Sequence, residues 1–139
     1  MNAVDTNVLV YFVDRDEPAK RAQAVALLDR LGKEEEETVL LWQVAGEFLS
    51  CLRRWESEGR IAREDTLGHV DRLESMFRCV LPTEPVLRKS VDLASRYSLS
   101  HWDSMLLAAC IAAGVRTLYS EDLGAGAQYE SVTVINPFL

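Results

Sequence analysis

The feature that most constrains the fold is the alternation of short apolar runs with longer segments of helical periodicity. The apolar runs are Thr38–Leu41, Phe77–Leu81, Val115–Tyr119 and Val132–Ile135. Runs this short and apolar are typical of strands buried on both faces, and the helices between them imply crossover connections that join parallel strands. The pattern therefore predicts an α/β fold, a three-layer α/β/α sandwich with a mostly parallel central sheet.

Helices between these runs are predicted from apolar residues that recur every three or four positions. After a short extended segment at Met1–Asp5, we predict helices at Pro18–Leu31, Gln43–Glu58, Ala62–Met76, Pro85–Tyr97 and Trp102–Ala113. The charged stretch Lys33–Glu37 is interpreted as a solvated connector. The run Val8–Val13 is compatible with a strand or with a buried helical turn, and the sequence leaves both open.

Two of these helices carry more detailed predictions. In helix Pro18–Leu31, which Gly32 is placed to end, the apolar residues spaced by three are expected to face the core: Ala22, Val25, Leu28 and Leu31. Helix Trp102–Ala113 is apolar nearly all round, as a buried helix would be. Ser100 is expected to open this helix and Gly114 to cap its C-terminus.

Composition places the chain among ordinary globular proteins. Its 139 residues, 48% of them hydrophobic, predict one domain that spans residues 1–139. The longest apolar stretch, Met105–Val115, is only about half of the roughly 20 residues that a membrane helix needs, and the N-terminus lacks a basic leader, so we expect a cytoplasmic protein. We interpret the three cysteines as reduced core residues that neither form disulfides nor bind zinc: Cys51, Cys79 and Cys110.

Four acidic residues stand in positions that need an explanation: Asp5, Glu47, Asp103 and Asp122. Each has a structural alternative when taken singly. Asp5 can cap a helix that begins near Thr6, and Asp103 lies three residues after Ser100, as in a variant of the capping box. Glu47 can be a boundary residue whose carboxylate reaches solvent, and Asp122 can belong to a turn.

The shared location of these four residues favours a functional site. Asp5 and Asp122 follow strands, whereas Glu47 and Asp103 are expected in the first turns of helices. In open parallel sheets, ligand sites form at the carboxyl ends of the strands, where the strand order reverses. Because four clustered carboxylates repel one another, a stable ionised cluster needs cations, and Mg²⁺ or Mn²⁺ suits oxygen ligands and phosphodiester cleavage.

The order of short motifs along the whole chain resembles that of the PIN-domain nucleases, and within them the VapC toxins of type II toxin–antitoxin pairs. The motifs are Val4–Val10, Glu47 within Val44–Leu52, His101–Met105 ahead of an alanine-rich helix, Leu118–Leu123 and Val132–Phe138. The resemblance implies a Mg²⁺- or Mn²⁺-dependent endoribonuclease, usually a homodimer, that cleaves RNA and is inhibited by a small antitoxin protein.

The resemblance also implies roles for particular residues. Asp5, Glu47, Asp103 and Asp122 form the expected acidic quartet, in which Asp5 and Asp103 are the principal metal ligands. Thr6, Asn7 and Ser120 are the expected polar support. The quartet leaves one ambiguity, because Glu121 is acidic as well and adjacent residues at a strand end point in opposite directions. Motif alignment selects Asp122.

Two other functions compete with this one. A phosphatase of the haloacid-dehalogenase type would use Asp5 as a covalent nucleophile, but its second acid is expected two residues on, where this chain has Asn7. A non-catalytic interaction module would keep the quartet only as caps and turns. The net charge of −7 argues against binding nucleic acid unless bound cations reverse the local sign. Arg53, Arg54 and Arg60 are candidates for a phosphate-facing patch, although solvated surface arginines are the better interpretation.

Overall fold

A computed structural model describes residues 1–139 and contains one six-stranded sheet. Its strands are β1 (Asn2–Val4), β2 (Thr38–Leu41), β3 (Arg78–Val80), β4 (Thr117–Tyr119), β5 (Gln128–Tyr129) and β6 (Val132–Ile135). The strand order is β3-β2-β1-β4-β6-β5, and every pairing is parallel except that of β5 with β6. The prediction of a mostly parallel sheet is confirmed.

Six helices connect the strands. They are α1 (Thr6–Val13), α2 (Pro18–Lys33), α3 (Trp42–Ser57), α4 (Arg63–Met76), α5 (Pro85–Tyr97) and α6 (His101–Ala113). Helix α1 packs against both α2 and α3, α3 packs against α4, and α5 packs on α6. Crossovers between parallel strands are right-handed. The connections from β1 to β2 and from β2 to β3 run in one direction along the sheet, and the connection from β3 to β4 runs in the other. Helices α1 to α4 therefore lie on one face of the sheet, and α5 and α6 lie on the opposite face. The three-layer sandwich predicted from the sequence is the observed architecture.

The strand order reverses beside β1. The chain moves from β1 to β2 and β3 in one direction and then returns to place β4 on the other side of β1. The register pairs Val4 with Tyr119, so the carboxyl ends of β1 and β4 lie side by side. A ligand site is expected at this switch point. The residues that follow these two strands, Asp5 and Ser120, occupy it.

The structure resolves the open alternative at Val8–Val13, which belongs to helix α1. It also corrects the buried face of α2, where Ala24, Leu27, Leu28 and Leu31 are buried. Ala22 and Val25 are exposed because a strict spacing of three drifts around a helix with 3.6 residues per turn. Gly32 does not end α2, which continues for one more residue to Lys33.

Two predictions of complete burial are wrong. Helix α6 buries Ser104, Leu106, Leu107, Ala108 and Cys110. Trp102 and Ala112 are exposed, because no other element covers their face of the helix. Cys79 is exposed, since β3 is the edge strand of the sheet, whereas Cys51 and Cys110 are buried as predicted. All three cysteines are free.

The remaining differences are short elements and helix ends. Strand β5 was not anticipated, because two residues, Gln128 and Tyr129, are too few to show a pattern. Gly114 caps α6 as predicted, with a φ of 77° that a residue with a side chain rarely adopts. No helix is long and apolar enough to cross a membrane.

Candidate functional site

Asp5 is the most deeply placed member of the predicted quartet. It follows β1 directly and caps helix α1, where its Oδ1 accepts a hydrogen bond of 2.7 Å from the Thr6 backbone N–H. The residue is 6% exposed, and its Oδ2 accepts a hydrogen bond of 2.7 Å from the Ser120 hydroxyl. The capping role and a functional role are therefore compatible, because each carboxylate oxygen keeps a free lone pair.

Ser120 joins the residues that follow β4 to those that follow β1. Its buried hydroxyl donates to Asp5 and accepts hydrogen bonds from the Asp122 backbone N–H at 3.0 Å and from the Asn7 side-chain amide at 3.4 Å. One donated and two accepted bonds use the whole capacity of a hydroxyl group. Its orientation is fixed as a result.

Asn7 and Asp122 complete this side of the site. The Asn7 amide donates to Asp122 Oδ2 at 3.2 Å, and its carbonyl oxygen accepts a bond from the Glu121 backbone N–H at 3.4 Å. These contacts hold the start of α1 against the loop after β4. Asp122 is exposed, so its carboxylate is accessible from solvent.

Glu47 approaches from the other neighbouring strand connection. It lies in the second turn of α3, one turn later than expected, because the helix begins directly after β2. Its Oε2 accepts a bond of 2.7 Å from the Thr6 hydroxyl, and its Oε1 accepts one of 2.8 Å from the Gln43 side chain. Thr6 thus contacts Glu47 by its hydroxyl and Asp5 by its backbone.

Asp103 is less closely integrated than the other three acidic residues. It lies in the first turn of α6, where its backbone N–H donates to the Ser100 hydroxyl at 3.3 Å, which is one of the two bonds of a capping box. The reciprocal bond from the Ser100 N–H to the Asp103 carboxylate does not form. Its carboxylate is half-buried and accepts no hydrogen bond from the chain. The link to the site is indirect, because Gln43 also donates to the Trp102 carbonyl at 3.1 Å.

Glu121 and Asp122 face different partners. Glu121 accepts a hydrogen bond of 2.6 Å from the Tyr11 hydroxyl and forms an ion pair of 3.0 Å with Lys20. Partial burial acts to raise the pKa of Glu121, but the bonds from Tyr11 and Lys20 and the charge of Lys20 outweigh it, so this pKa lies below its ordinary value. Asp122 instead contacts Asn7 on the side of Asp5.

The electrostatics of the site centre on Asp5. Burial is the largest influence and raises the pKa of Asp5 above its ordinary value; the bonds from Ser120 and Thr6 oppose this, and the negative charges of Glu47 and Asp122 add to the increase. A cation beside Asp5 would offset both the cost of removing its carboxylate from water and the repulsion by Glu47 and Asp122. The oxygen donors suit Mg²⁺ or Mn²⁺ chemically.

No three carboxylate, imidazole or thiol groups lie close enough together to hold a metal ion by themselves. Mg²⁺ sites commonly use only one or two carboxylates and fill the remaining positions with water. The residues present therefore fit such an ion with Asp5 as its main ligand and one further acidic residue at most in direct contact.

Three residues of the site were not identified from the sequence. Gln43 bridges Glu47 to the Trp102 carbonyl, and Tyr11 and Lys20 hold Glu121. Gln43 precedes Glu47 by four residues, and this helical spacing is the one signal that could have pointed to it. Tyr11 and Lys20 carry no such signal, because their partner lies about a hundred residues further along the chain.

The family comparison matches most of the chain, including every acidic residue of the predicted quartet. The model described as PIN domain matches residues 3–126. The chain belongs to the PIN domain family. The site described above is thus placed within a PIN domain, and the family resemblance seen in the sequence is confirmed. No curated protein matches the sequence.

Solved structures share the fold of this PIN domain at low sequence identity. A toxin–antitoxin complex from Klebsiella pneumoniae matches with a TM-score of 0.68 and 19% identity, covering 99% of this chain and 98% of that one. VapBC2 from Rickettsia felis, bound to a promoter DNA fragment, matches with a TM-score of 0.69 and 12% identity over 96% of each chain. VapC20 of Mycobacterium tuberculosis, a toxin that cleaves the sarcin-ricin loop, matches with a TM-score of 0.61 and 16% identity, covering 88% and 90%.

Proposed function

We propose that this PIN domain is a metal-dependent endoribonuclease that hydrolyses RNA phosphodiester bonds and serves as the toxin of a type II toxin–antitoxin pair. The observation that carries the proposal is the convergence of Asp5, Glu47 and Asp122 at the switch point of a PIN-family sheet. Burial, together with the charges of Glu47 and Asp122, raises the pKa of Asp5 there. The similarity in fold to VapC20, described as cleaving the sarcin-ricin loop, supports the choice of RNA as substrate.

The cofactor belongs to the proposal. Asp5 would be the principal ligand of Mg²⁺ or Mn²⁺, with Asp103, Glu47 and Asp122 completing the ligand shell directly or through water. When bound, such an ion supplies an activated water and stabilises negative charge on the leaving oxygen. Asp103 has no hydrogen-bond partner for its carboxylate and is therefore free to turn toward an ion.

The chain's own residues orient the acidic groups for this reaction. Ser120 fixes the Oδ2 side of Asp5, and the Thr6 backbone fixes the Oδ1 side. Hydrogen bonds of this kind set the direction and basicity of a ligating carboxylate. Thr6 and Gln43 hydrogen-bond to Glu47, and Asn7 hydrogen-bonds to Asp122. These bonds support the proposed role of Thr6, Asn7 and Ser120 as the polar support of the site.

The negative net charge fits a substrate that approaches through bound cations. The arginine patch considered from the sequence does not offset this charge, because Arg60 pairs with Asp14 and Asp16 at 3.1 and 2.7 Å and stacks over Trp55. Arg54 also has an acidic neighbour, because its Nε lies 4.0 Å from Glu58 Oε1. Arg53 is exposed and forms no ion pair. Phosphate contact at the site would therefore depend on metal ions rather than on Arg54 and Arg60.

The proposed partners are a cognate antitoxin protein and a second copy of this chain. The Klebsiella pneumoniae and Rickettsia felis structures are described as toxin–antitoxin assemblies. By similarity in fold, we propose that a small antitoxin binds this chain and that the PIN domain forms a homodimer. Co-expression with the protein encoded beside it, followed by co-purification, tests the first of these partners.

The central experiment is incubation of the purified chain with cellular RNA, with and without Mn²⁺, followed by electrophoresis. We expect discrete fragments only when Mn²⁺ or Mg²⁺ is present and no fragments with Asp5→Asn. Cleavage that continues in excess chelator, or at full rate in Asp5→Asn, would refute the proposal.

The non-catalytic module is the second candidate, because no three ligand groups are preassembled around a metal position. Calorimetry separates the two functions. Absence of any binding of Mg²⁺ or Mn²⁺ would favour the module, whereas binding that Asp5→Asn removes favours the nuclease. The phosphatase alternative loses its support, since the family match is to the PIN domain; a covalent phosphate on Asp5 would restore it.

A further inference from the structure

Helices α3 and α6 face each other across an apolar groove beside the acidic site. The groove has a volume of about 690 Å³, and its walls include Trp42 and Gly46 on α3 and Trp102, Ala109 and Ala112 on α6. The glycine and the alanines leave open space where larger side chains would pack one helix on the other. Helix α6 instead packs on α5, and α3 packs on α1 and α4. Another contact is therefore needed to fix the spacing of α3 and α6.

One side chain joins the two helices. The Gln43 amide nitrogen donates to Glu47 Oε1 at 2.8 Å on its own helix and to the Trp102 carbonyl at 3.1 Å on α6. An amide nitrogen carries two hydrogens, so both bonds form at once. No other hydrogen bond or ion pair connects α3 with α6. The half-buried Gln43 side chain is therefore the one polar link across the groove.

The two partners of Gln43 determine which side chains could replace it. A carboxylate and a backbone carbonyl are both acceptors, so a bridge between them needs a group that donates two hydrogens. An ionised glutamate of the same length only accepts, and it would repel Glu47. Methionine has nearly the length of glutamine and offers no donor. Gln43→Met thus removes both bonds without adding a charge or shortening the side chain.

The bond to the Trp102 carbonyl bears on Asp103, the next residue in the chain. The Asp103 carboxylate accepts no hydrogen bond from the chain, so the backbone of the first turn of α6 decides what this side chain can reach. Within that turn, the N–H groups of Asp103 and Ser104 donate to Ser100, in the cap of the same helix. Only the bond from Gln43 ties the turn to another element of the fold.

At its other end, the bridge is anchored in the buried part of the site. Glu47 Oε2 accepts a bond of 2.7 Å from the Thr6 hydroxyl, and the Thr6 backbone N–H donates to Asp5 at 2.7 Å. A continuous series of hydrogen bonds thus leads from Asp5 through Thr6, Glu47 and Gln43 to the Trp102 carbonyl. The buried carboxylate is the fixed point from which the first turn of α6 is held.

We propose that Gln43 is a positioning residue, which holds the first turn of α6 beside Glu47 and so keeps Asp103 within reach of an ion bound at Asp5. The proposal rests on the proposed function, because it concerns the ligand shell of that metal site. It assigns Gln43 no contact with the ion or with RNA. Groups that orient metal ligands typically contribute roughly 10- to 100-fold to metal affinity.

The first test needs no metal. In a chelating buffer, amide hydrogen exchange followed by NMR reports how often the first turn of α6 opens at Asp103 and Ser104. Gln43→Met should speed exchange at these two amides about fivefold, the ratio that corresponds to one net hydrogen bond, and leave the amides of α5 unchanged. Gln23→Met, at an exposed position on α2, is the matched control and should change neither. Unchanged exchange in Gln43→Met would overturn the proposal.

The second test measures the affinity for Mn²⁺ by calorimetry. Gln43→Met should weaken binding about tenfold, and Gln23→Met should leave it unchanged. In a chain that already carries Asp103→Asn, Gln43→Met should weaken binding by less than about twofold more, because its effect is exerted through Asp103. Equal losses with and without Asp103→Asn would overturn the positioning role and assign Gln43 a general structural one.

The outcomes also separate this inference from the proposed function. Mn²⁺ binding that Asp5→Asn removes and Gln43→Met leaves unchanged would overturn the positioning role and leave the nuclease in place. Absence of Mn²⁺ binding and of RNA cleavage in the unmodified chain would overturn the nuclease, whereas faster exchange in Gln43→Met would still support the bridge between the helices. If both hold, Gln43→Met should raise the Mn²⁺ concentration for half-maximal cleavage about tenfold and keep most of the rate at saturating Mn²⁺.

Discussion

The two flanks of the acidic site differ in how firmly they are built. The closed flank, formed by Asp5, Asn7, Ser120 and Asp122, is connected by side-chain hydrogen bonds between residues more than a hundred positions apart. The open flank, formed by Trp42, Trp102 and Asp103, has exposed aromatic rings and a carboxylate that accepts no hydrogen bond from the chain.

The difference indicates that the closed flank holds Asp5 in place, whereas the open flank is available to a ligand. Burial and a complete hydrogen-bond network fix the carboxylate that pays the greatest desolvation cost, because an unpaired group there would destabilise the fold. The open flank carries no such constraint, so its side chains can adapt when a ligand arrives. Variants on the closed flank should therefore affect stability and activity together, whereas variants on the open flank should affect mainly activity.

The largest effect is expected from Asp5→Asn, which keeps the size of the side chain but removes its charge. Loss of the proposed principal metal ligand should lower cleavage by at least about 1000-fold, since an ion contributes several kcal/mol to the transition state. Cleavage rates with Mn²⁺ measure this loss. Asp29→Asn, a surface carboxylate on α2 that is 64% exposed, should retain full activity.

The same variant should change how the Tm of the chain depends on pH in the absence of metal. Because the pKa of Asp5 is raised in the folded chain, ionisation of this residue opposes folding, and stability is gained as the pH falls through the folded pKa. Asp5→Asn removes this titration but also replaces one of the two acceptor oxygens with an amide donor, so the absolute Tm is not the test. In chelator, the Tm of the unmodified chain relative to that of the variant should rise as the pH falls toward the folded pKa of Asp5. A Tm difference that is independent of pH would contradict the raised pKa of Asp5.

The next largest effect distinguishes the two adjacent acids after β4. Asp122→Ala should lower cleavage by about 10- to 100-fold, as loss of a group that supports or binds the metal does. Glu121→Ala should lower it less than about fivefold, the scale of a lost surface ion pair, because Glu121 is held by Tyr11 and Lys20. Equal losses in the two variants would leave the choice of Asp122 without support.

Ser120→Ala should have an intermediate effect and break the closed flank at its centre. It removes the bond to Asp5 and both bonds that the hydroxyl accepts, so the free energy of unfolding should fall by about 1–3 kcal/mol. Metal affinity should fall by about tenfold. Denaturant unfolding and calorimetry measure the two quantities, and Ser131→Ala, at an exposed position, is the control. A loss of affinity without loss of stability would separate the roles of this hydroxyl.

The smallest effect is expected from Lys20→Met, which leaves Glu121 without its ion pair. Above the ordinary pKa of Glu121, 4.5, the pair stabilises the folded chain, and this contribution is lost as the pH falls through the lower folded pKa. The Tm difference from the unmodified chain should thus be present near neutral pH and shrink as the pH falls below 4.5 and through the lower folded pKa. Lys33→Met breaks an exposed pair with Asp29 on the same helix and should change Tm less.

Much of the fold follows from local sequence, because strand and helix periodicities are visible within a few residues. The apolar runs predicted β2, β3, β4 and β6, and five helices were predicted close to their observed bounds. The exposed side of α6 could not be predicted, since it depends on what packs against that helix. The same holds for Cys79, which is exposed only because β3 lies at the edge of the sheet.

The candidate site shows the same division. Positions after strands marked Asp5 and Asp122 as candidates, and helical spacing marked Glu47. The hydrogen-bond partner of each carboxylate could not be predicted, because the partners are far apart in the sequence. Ser120 donates to Asp5 from 115 positions away, and Thr6 donates to Glu47 from 41 positions away. Tyr11 and Lys20 gave no sign that they would hold Glu121 away from the Asp122 side.

The sequence by itself determined the α/β/α class and the family resemblance, and it identified the candidate acidic residues, because each depends on local pattern and composition. Only the tertiary structure decided that Asp5 is buried and bonded on both oxygens, that Asp103 stands apart from the closed flank, and that two tryptophans open onto the same site. The physical reason is that burial, electrostatic repulsion and groove shape depend on contacts between distant segments, and these contacts exist only after the sheet has brought β1 and β4 together.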